Sequence, residues 1–284
     1  MALIHEIERK HGKGRLFKNL IIVILCIGIP VQIFPFVWTL LSAFKDNLEI
    51  IQSPPTFFPS KAVLDGFIST FQDIKIQKNI LNTFIICFGV ILVQVTTSAL
   101  AAYSLSKLKP KFGKIALLYF LGTMMINAQA LIFPSYLMIS EMNLINSKLS
   151  VVLIFSAWAY TLYLFKGFFD SVPNELIEAA DIDGASKMQV FMHIIIPLSQ
   201  SVVAVNVLMT FMSVYNQFIF PFILLPDPEE WTIMVRIYAA QNSPTTSWNT
   251  IMSMLIVATV PILALYLAAQ RKIVEGVALT GIKG

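Results

Sequence analysis

The sequence predicts an all-α membrane protein with six transmembrane helices. Of its 284 residues, 57% are apolar and only 13% are charged, whereas an average soluble protein carries about 25% charged residues. Six windows contain no Asp, Glu, Lys or Arg, namely 19–44, 79–106, 115–140, 149–165, 194–226 and 237–270. This pattern excludes a soluble globular enzyme, a nucleic-acid-binding domain and a disordered chain.

Each of the six windows is expected to form one membrane-spanning helix. About 20 mainly apolar residues cross the hydrocarbon core as a helix, and only the window 149–165 falls short of that length. In the sixth window the apolar part runs over 251–269. Backbone groups in lipid must be hydrogen-bonded internally, and alternating segments of strand length are missing, so the windows predict helices rather than a β-barrel.

The basic residues predict the orientation. When the loops are assigned alternately to the two sides, 14 of the 20 Lys and Arg lie on the side of the N-terminus. By the positive-inside rule both termini are therefore cytoplasmic, with 45–78 and 227–250 outside. A cleaved signal peptide is the alternative for the basic start, but the uncharged stretch continues to Phe44 and no A-x-A cleavage site follows.

This organisation predicts three regions. Residues 1–78 would hold an N-terminal cytoplasmic segment, the first transmembrane helix and an external connection. Residues 79–270 would form the core domain with five transmembrane helices, and 271–284 a cytoplasmic tail. The net charge of +4 reflects membrane orientation rather than nucleic-acid binding, because the basic residues sort by loop instead of forming one patch.

The sequence lacks the signatures of catalysis and metal binding. Cys26 and Cys87 both fall in apolar windows, which argues against a disulfide or a thiolate metal site. The three histidines lie outside the windows, and neither an HExxH, a GxSxG nor a GxxxxGK[ST] motif occurs. We therefore expect no catalytic residue, no metal, no cofactor and no ATP hydrolysis by this chain itself.

The predicted cytoplasmic loop 166–193 is rich in acidic residues, which orientation alone does not explain. Pro173 suits a first helical turn, the acids after it suit the positive end of a helix dipole, and Gly184 can end the helix. A short helix, a turn and a second helix are expected. The acidic residues of this loop are Asp170, Glu175, Glu178, Asp181 and Asp183.

Two interpretations of this loop remain open on the residues alone. One is a docking site, in which Glu178 and Asp181 offer carboxylates to a basic partner. The other is a solvated amphipathic loop that lies on the membrane surface. The small residues that would let another surface approach closely are Ala179, Ala180, Gly184 and Ala185.

The same loop carries a family resemblance. It resembles the EAA motif, the cytoplasmic signature of permease subunits in binding-protein-dependent ABC importers. The matching residues are Glu178-Ala179-Ala180, Asp183-Gly184-Ala185, Phe191, Ile194 and Pro197. The likeness extends along nearly the whole chain and is greatest for the carbohydrate-uptake, MalG-like branch. Further matching stretches are Phe34-Pro35 to Trp38, Ser42 to Lys45, Asn82-Thr83, Ala101-Ala102-Tyr103, Gly167-Phe168-Phe169 and the tail from Gln270-Arg271 to Gly281-Ile282-Lys283-Gly284.

Three positions depart from the family pattern. Ile196 stands where Leu is usual before Pro197, a change that conserves volume. Asn127 stands where many relatives carry Pro, and Tyr215-Asn216 replaces the commoner Trp-Asn. The last two lie in windows expected to face the solute pathway, so they weaken any transfer of solute identity and leave the docking assignment untouched.

The resemblance implies a type I ABC importer permease fold in a bacterial plasma (inner) membrane, with both termini inside. It also implies that the loop is a coupling helix seated in a groove of a separate ATPase subunit, where it transmits force and does no bond chemistry. The implied partners are a second permease subunit, a dimer of ATP-binding subunits, an extracellular solute-binding protein and membrane lipid. The implied coupling residues are Glu178, Ala179, Ala180, Asp183 and Gly184.

The solute is expected to be neutral, because ionisable groups inside spans usually mark ion or proton paths and the six windows have none. Asn206, Thr210, Ser213 and Gln217 recur at helical spacing, so they would share one face of the fifth helix. Uncharged donors and acceptors suit the hydroxyl groups of a sugar, and the family resemblance implies an oligosaccharide. Hydrogen bonding between helices is the alternative role. Further pathway candidates are Tyr215, Asn216 and Asn127.

Three other functions compete with a carbohydrate importer. An ABC importer permease for another solute shares the same docking motif. A stand-alone secondary carrier or channel is disfavoured by the charge-free windows, and an intramembrane enzyme by histidines that lie only outside them.

Overall fold

The computed structural model describes residues 13–281, with side chains described for 18–268 and 270. The described chain is built of helices and connecting turns, so the predicted all-α class is confirmed. The first twelve residues, with part of the basic N-terminal segment, and the last three residues of the predicted tail lie outside the described part.

The helices follow one another in this order. They are α1 (Lys13–Ser42), α2 (Asn47–Ile51), α3 (Asp65–Gln72), α4 (Ile76–Tyr103), a π-helix (Ser104–Leu108), α5 (Gly113–Thr123), a 3₁₀ turn (Ala128–Leu131), α6 (Ile132–Glu141), α7 (Lys148–Phe155), α8 (Ala159–Ser171), α9 (Glu175–Ile182), α10 (Lys187–Val190), a second π-helix (Phe191–Ile195), α11 (Ile196–Leu198), α12 (Gln200–Tyr215), α13 (Ile219–Leu224), α14 (Ile233–Gln241) and α15 (Trp248–Gly281).

The candidate membrane spans are of two kinds. Three single helical stretches are long and apolar enough to cross a bilayer: Lys18–Ala43, Ile76–Leu108 and Trp248–Ala268. Three further candidates are pairs of helices joined at a sharp bend, and the described chain reaches six spans if each pair counts as one. The bent pairs are Gly113–Thr123 with Ala128–Glu141 (94°), Lys148–Phe155 with Ala159–Ser171 (48°), and Lys187–Leu198 with Gln200–Tyr215 (81°).

The expectation of one continuous helix per window is therefore wrong for three windows. In the third, the Asn127 side chain accepts a hydrogen bond from the Gln129 amide at 3.1 Å and starts a new helical turn. In the fifth, Pro197 lacks an amide hydrogen and the Ser199 hydroxyl donates to the Ile195 carbonyl at 2.5 Å. Local side chains thus bond backbone groups at the breaks, as the bilayer requires.

The chain divides into two compact units. One comprises the chain up to Ile74 together with Pro244–Ile256, and the other comprises Lys75–Ser243 together with the chain from Val257 onward. The predicted division into 1–78, 79–270 and 271–284 is a different partition, based on membrane topology, and stays a prediction.

In the first unit a short polar network orders the connection after α1. Lys45 is buried, donates to the Thr56 carbonyl and lies 4.7 Å from the centre of the Trp38 ring. Glu49 accepts hydrogen bonds from the Thr56 hydroxyl at 2.8 Å and from the Ser60 amide at 2.9 Å. The bond from Thr56 is the main reason that the pKa of Glu49 is lowered. This network gives a structural role to Lys45, the last residue of the family-matching stretch Ser42 to Lys45.

In the second unit the core is a group of packed helices. Helix α4 packs against α7, α8 and α12. A buried hydrogen bond of 2.7 Å joins Gln94 on α4 to Thr161 on α8. The Tyr215 hydroxyl at the end of α12 donates to the Ala258 carbonyl at 2.8 Å. These bonds satisfy polar groups that would be costly to leave unpaired inside the unit.

Gly66 marks a close approach in the first unit and gives a test of the fold. A Cβ atom built on Gly66 would lie 2.6 Å from the Asn249 carbonyl oxygen, so we expect Gly66→Ala to lower the free energy of unfolding by about 1–3 kcal/mol. Gly122→Ala is the matched control, because nothing lies within 4 Å of its added methyl group. Thermal unfolding of the purified protein in detergent measures both, and equal midpoints for the two variants would contradict the packing.

Candidate functional site

The acidic loop folds as a helix, a turn and a second helix, as expected. Helix α9 runs over Glu175–Ile182, and α10 over Lys187–Val190. Between them Gly184 has a φ of +79°, a conformation that L side chains rarely adopt. The first helix begins at Glu175 after the N-cap Asn174, so Pro173 precedes the first turn instead of lying in it. We call residues 173–195 the docking segment.

The second helix of the docking segment begins with a capping box. The Ser186 amide donates to Gln189 Oε1 at 2.7 Å, and the Gln189 amide donates to the Ser186 hydroxyl at 3.3 Å. This reciprocal pair satisfies two backbone donors that a helix start leaves free. The turn after Gly184 is therefore fixed by specific hydrogen bonds.

An apolar cluster seats the docking segment on the transmembrane helices. Ala180 and Ala185, two of the small residues of the motif, are half-buried and pack against it together with Ile177. Ala179 and Gly184 are exposed, so only two of the four small residues are open to a partner. The buried members of the cluster are Ala99, Ala102, Tyr103, Phe165, Phe169, Val172, Val190, Phe191 and Ile195.

Polar contacts from the end of α4 tie the docking segment to that helix. The Tyr103 hydroxyl donates to the Lys187 carbonyl at 3.1 Å. Lys107 donates to the Val172 carbonyl at 2.6 Å and to Asn174 Oδ1 at 3.0 Å. Sequence analysis assigned no role to Tyr103 or Lys107, and the only signal was the stretch Ala101-Ala102-Tyr103 in the family resemblance.

The acidic side chains of the loop divide into paired and unpaired groups. Asp170 binds Lys166 at 2.7 Å, and Asp181 binds Lys187 at 2.6 Å. The expectation that Asp181 offers a free carboxylate is therefore wrong, because Lys187 already neutralises it. Within the described chain, the exposed side chains of Glu175, Glu178 and Asp183 form no hydrogen bond or ion pair.

Apolar side chains also stand exposed on the docking segment. Ile182 is 86% exposed and Met188 57%. Exposed apolar groups with polar neighbours are found on surfaces that another protein or a membrane covers. Sequence analysis did not single out Ile182, because its apolar character fits the inner face of a helix equally well.

The predicted polar stripe of the fifth span does not form one continuous face. Helix α12 ends at Tyr215, so Gln217 lies beyond it. Asn206, Thr210 and Tyr215 are almost completely buried within the chain, which favours the packing alternative for these three residues. In the described chain no partner is found for Asn206 Oδ1 or Thr210 Oγ1.

The remaining pathway candidates are accessible. Asn216 is exposed, and its amide donates to the Met212 carbonyl at 2.7 Å. Ser213 and Gln217 are half-buried, and Asn127 is exposed at the bend of the third candidate span. Among the predicted pathway residues, these four are therefore the ones that stay at least partly accessible in the described chain.

A polar clamp holds the predicted external loop that follows α13. The amides of Asn79 and Asn82 both donate to the Trp231 carbonyl, at 3.0 and 3.2 Å, and the Ile233 amide donates to the Thr83 hydroxyl at 2.9 Å. These contacts give the family stretch Asn82-Thr83 a structural role. Lys78 pairs with Glu229, and Lys148 with Glu230.

A hydrogen bond and burial shift the pKa values of two groups in this clamp. The hydrogen bond from Lys78 is the main reason that the pKa of Glu229 is lowered. Burial lowers the pKa of Arg236, whose Nε donates to Asn79 Oδ1 at 3.2 Å. In the side chains that the structure describes, no group of three or more His, Cys, Asp or Glu could hold a metal ion.

The comparisons with known proteins agree with this arrangement. A family model described as "Binding-protein-dependent transport system inner membrane component" matches residues 10–278. The sn-glycerol-3-phosphate transport system permease protein UgpE of Salmonella typhi is 30% identical over 261 residues, which cover 89% of this chain and 92% of that protein. UgpE of Escherichia coli O1:K1 / APEC is 28% identical over 260 residues, with the same coverage of both chains.

A solved structure shares the fold. It is a crystal structure of a bacterial ABC transporter involved in the import of the acidic polysaccharide alginate. One of its chains superposes with a TM-score of 0.84 at 18% identity, covering 92% of this chain and 98% of that chain.

The tether between α4 and the docking segment can be tested directly. Tyr103→Phe removes the hydroxyl that holds the Lys187 carbonyl, and one such hydrogen bond contributes about 1 kcal/mol. We expect amide hydrogen exchange in residues 187–195 to become about fivefold faster. Tyr119→Phe is the control, because Tyr119 is 73% exposed. Unchanged exchange in the Tyr103 variant would show that the apolar cluster alone holds the segment.

Proposed function

Because the chain belongs to the family of binding-protein-dependent transport system inner membrane components, we propose that it is the permease subunit of an ABC importer for a carbohydrate or a similar polyhydroxylated solute. Family membership makes it a multi-pass inner-membrane transport component that is not itself an enzyme. It also implies an ATPase and a solute-binding protein as partners. A stand-alone carrier would need neither partner.

The observation that carries the proposal is the composition of the docking segment. Two unpaired carboxylates, Glu178 and Asp183, stand beside the exposed side chain of Ile182. A surface with this mixture matches a protein interface with a basic partner better than contact with a bilayer, because anionic lipid headgroups would repel the carboxylates. We assign the ATPase subunit to this surface, with Glu178, Ala179 and Gly184 in direct contact.

In this proposal, force from the ATPase reaches the transmembrane helices through the contacts that hold the docking segment on the apolar cluster and on α4. Ala180 and Ala185 pack on the apolar cluster, Tyr103 adds a hydrogen bond from α4, and Lys107 adds hydrogen bonds from the π-helix that follows α4. A movement of the segment therefore has to move α4 and α8, which supply the cluster. Alternating access is then a rigid-body population shift whose free energy comes from nucleotide binding and hydrolysis in the partner.

The relatives and the spans together indicate the chemistry of the solute. Glycerol phosphate and alginate, which the similar proteins are named for, both carry hydroxyl groups and both are anionic. The six windows of this chain offer hydrogen-bonding groups and no Lys or Arg. We propose that this chain interacts with solute hydroxyls and that any recognition of solute charge belongs to other subunits.

The complete assembly in this proposal has a second permease subunit, two ATP-binding subunits and an extracellular solute-binding protein. Residues 1–78 contribute the N-terminal cytoplasmic segment, the first transmembrane helix and its external connection, and 79–270 contribute five spans with the docking segment. The termini lie in the cytoplasm. No nucleic acid takes part.

Charge reversal at Glu178 tests the coupling role. In the importer reconstituted with all its subunits, we expect Glu178→Lys to reduce ATP-driven uptake by about tenfold or more, because like charges at an interface cost several kcal/mol. Membrane insertion should remain normal. Glu141→Lys makes the same charge change at an exposed site on the side predicted to be external, and it should retain uptake.

Normal uptake with Glu178→Lys would refute the coupling role of the docking segment. Loss of uptake with both variants would instead indicate a general sensitivity to charge. An assembly assay on the purified complex distinguishes this general effect from a specific loss of coupling.

The pathway role is tested at Asn216 and Gln217. We expect Asn216→Ala and Gln217→Ala each to change the concentration of solute needed for half-maximal uptake by about threefold or more, because each removes a polar group open to solute. The assembled complex should be recovered in normal amounts. Asn206→Leu should leave that concentration unchanged, since Asn206 is buried in the packing of the chain. Loss of assembly in the Asn216 or Gln217 variants would assign those residues to helix packing.

A further inference from the structure

The turn that leads into α5 carries an exposed surface of three lysines and two apolar side chains. Lys109, Lys111 and Lys114 are exposed, and within the described side chains none of them forms a hydrogen bond or an ion pair. Phe112 is 67% exposed and Ile115 is 66% exposed. We call these five residues the basic turn.

Backbone hydrogen bonds fix the shape of the basic turn. The Lys109 amide donates to the Ser104 carbonyl at 2.9 Å and ends the π-helix that follows α4. The Gly113 amide donates to the Pro110 carbonyl at 2.8 Å, at the start of α5. The lysines and the ring of this turn are therefore presented by an ordered backbone.

The position of the basic turn along the chain places it at the membrane surface. It joins two candidate spans, Ile76–Leu108 and the bent pair that begins at Gly113. Lys109 and Lys111 lie between these spans, and Lys114 lies in the first turn of α5. The long stem of a lysine can run along apolar surface while its ammonium group stays with the headgroups. The three ammonium groups are therefore expected at the level of the lipid phosphates.

The sequence around the basic turn offers no acid to neutralise it. No Asp or Glu occurs in residues 74–140. Lys107, the fourth lysine of this stretch, is engaged within the chain, where it donates to the Val172 carbonyl and to Asn174 Oδ1. The positive-inside rule accounts for the sign of the charge but not for large apolar side chains among the lysines. That mixture is typical of a segment that lies in an anionic membrane interface.

We propose that the basic turn binds anionic phospholipids, with its lysines on the phosphate groups and Phe112 against the upper part of the acyl chains. A lysine ammonium group is a compact charge on a flexible stem, so it can meet phosphates at slightly different depths. The inference concerns the lipid around the chain and does not depend on the proposed transport role.

The apolar face of α5 favours a lipid over an acidic partner protein as the occupant. Phe112, Ile115 and Tyr119 recur at intervals of three and four residues, so they lie on one side of the helix. All three side chains are exposed, and they belong to a candidate span. This face runs from the lysines into the bilayer, and a phospholipid presents an anionic group and apolar chains in that order. An acidic protein surface would match the lysines alone.

Lipid binding to the purified full-length chain tests the charge of the basic turn. The chain in detergent is titrated with dioleoylphosphatidylglycerol or dioleoylphosphatidylcholine, and native mass spectrometry counts the bound molecules. We expect the first phosphatidylglycerol to bind about tenfold or more tightly than the first phosphatidylcholine, because each lysine near anionic lipid strengthens attachment by about fivefold. Replacing Lys109, Lys111 and Lys114 together by Gln should lower this preference by about fivefold or more. The matched triple replacement by Arg keeps the charge and should retain the preference.

The ring of the basic turn distinguishes a whole lipid from a free anion. We expect Phe112→Ala to weaken attachment of phosphatidylglycerol by about threefold or more, because the ring loses its burial against the acyl chains. Phe133→Ala is the matched control, since Phe133 is equally exposed but lies on α6, away from the lysines. A large excess of inorganic phosphate should not displace the lipid. Displacement by phosphate, or equal effects of the two Phe variants, would assign the lysines to a free anion and overturn the proposal.

Amide hydrogen exchange in nanodiscs locates the bound lipid. Residues 108–115 should exchange about threefold more slowly in nanodiscs that contain phosphatidylglycerol than in nanodiscs of phosphatidylcholine alone, and the triple Gln variant should lose this difference. Equal exchange of wild type in the two lipids, or an unchanged lipid preference of the triple Gln variant, would contradict the proposal. If that variant instead loses binding of an ATPase subunit in pure phosphatidylcholine and keeps its lipid preference, the basic turn belongs to an acidic protein partner.

Discussion

The burial of four aromatic rings beneath the docking segment is the interaction on which the rest of the site depends. Tyr103, Phe165, Phe169 and Phe191 come from three separate helical regions and are all at most 5% exposed. Removing one such side chain from water contributes about 1.5–3 kcal/mol. Inside lipid, the hydrophobic effect does not drive helices together. The aromatic cluster is expected at the water-facing end of the spans, where the burial of apolar side chains has the largest effect on stability.

The polar side chains of the spans fall into two groups, buried ones that bond neighbouring helices and accessible ones that do not. Gln94 and Thr161 satisfy each other at 2.7 Å, and Tyr215 bonds the Ala258 carbonyl. Such pairs hold helices together where lipid gives no hydrophobic reason for them to associate. Asn216 and Gln217 follow the end of α12 and remain at least partly accessible. The end of α12 thus separates buried packing positions from positions that stay accessible, and only the accessible ones fit the proposed contact with solute.

Composition and charge were sufficient to predict the helical class, the apolar windows and the docking segment with its turn at Gly184. They did not predict the three bends, because a bend depends on a few capping groups such as Asn127 and does not alter the apolar content of a window. The predicted polar stripe of the fifth span does not reach Gln217 for a similar reason, because the end of α12 at Tyr215 does not alter the apolar content of the window. The pairing of Asp181 with Lys187, and the bonds of Tyr103, depend on neighbours that sequence spacing does not specify.

The division of the acidic side chains explains how a rigid segment can also be a contact surface. Asp170 and Asp181 are neutralised within the chain, so they stabilise the segment without attracting a partner. Glu178 and Asp183 stay unpaired in the described chain, so in the proposed coupling role their charge would be free to distinguish one state of a partner from another. A transport cycle needs that difference in affinity, because a partner that binds two conformations equally cannot shift the balance between them. In that role the apolar cluster would transfer the difference to α4 and α8, because both helices pack against the segment through it.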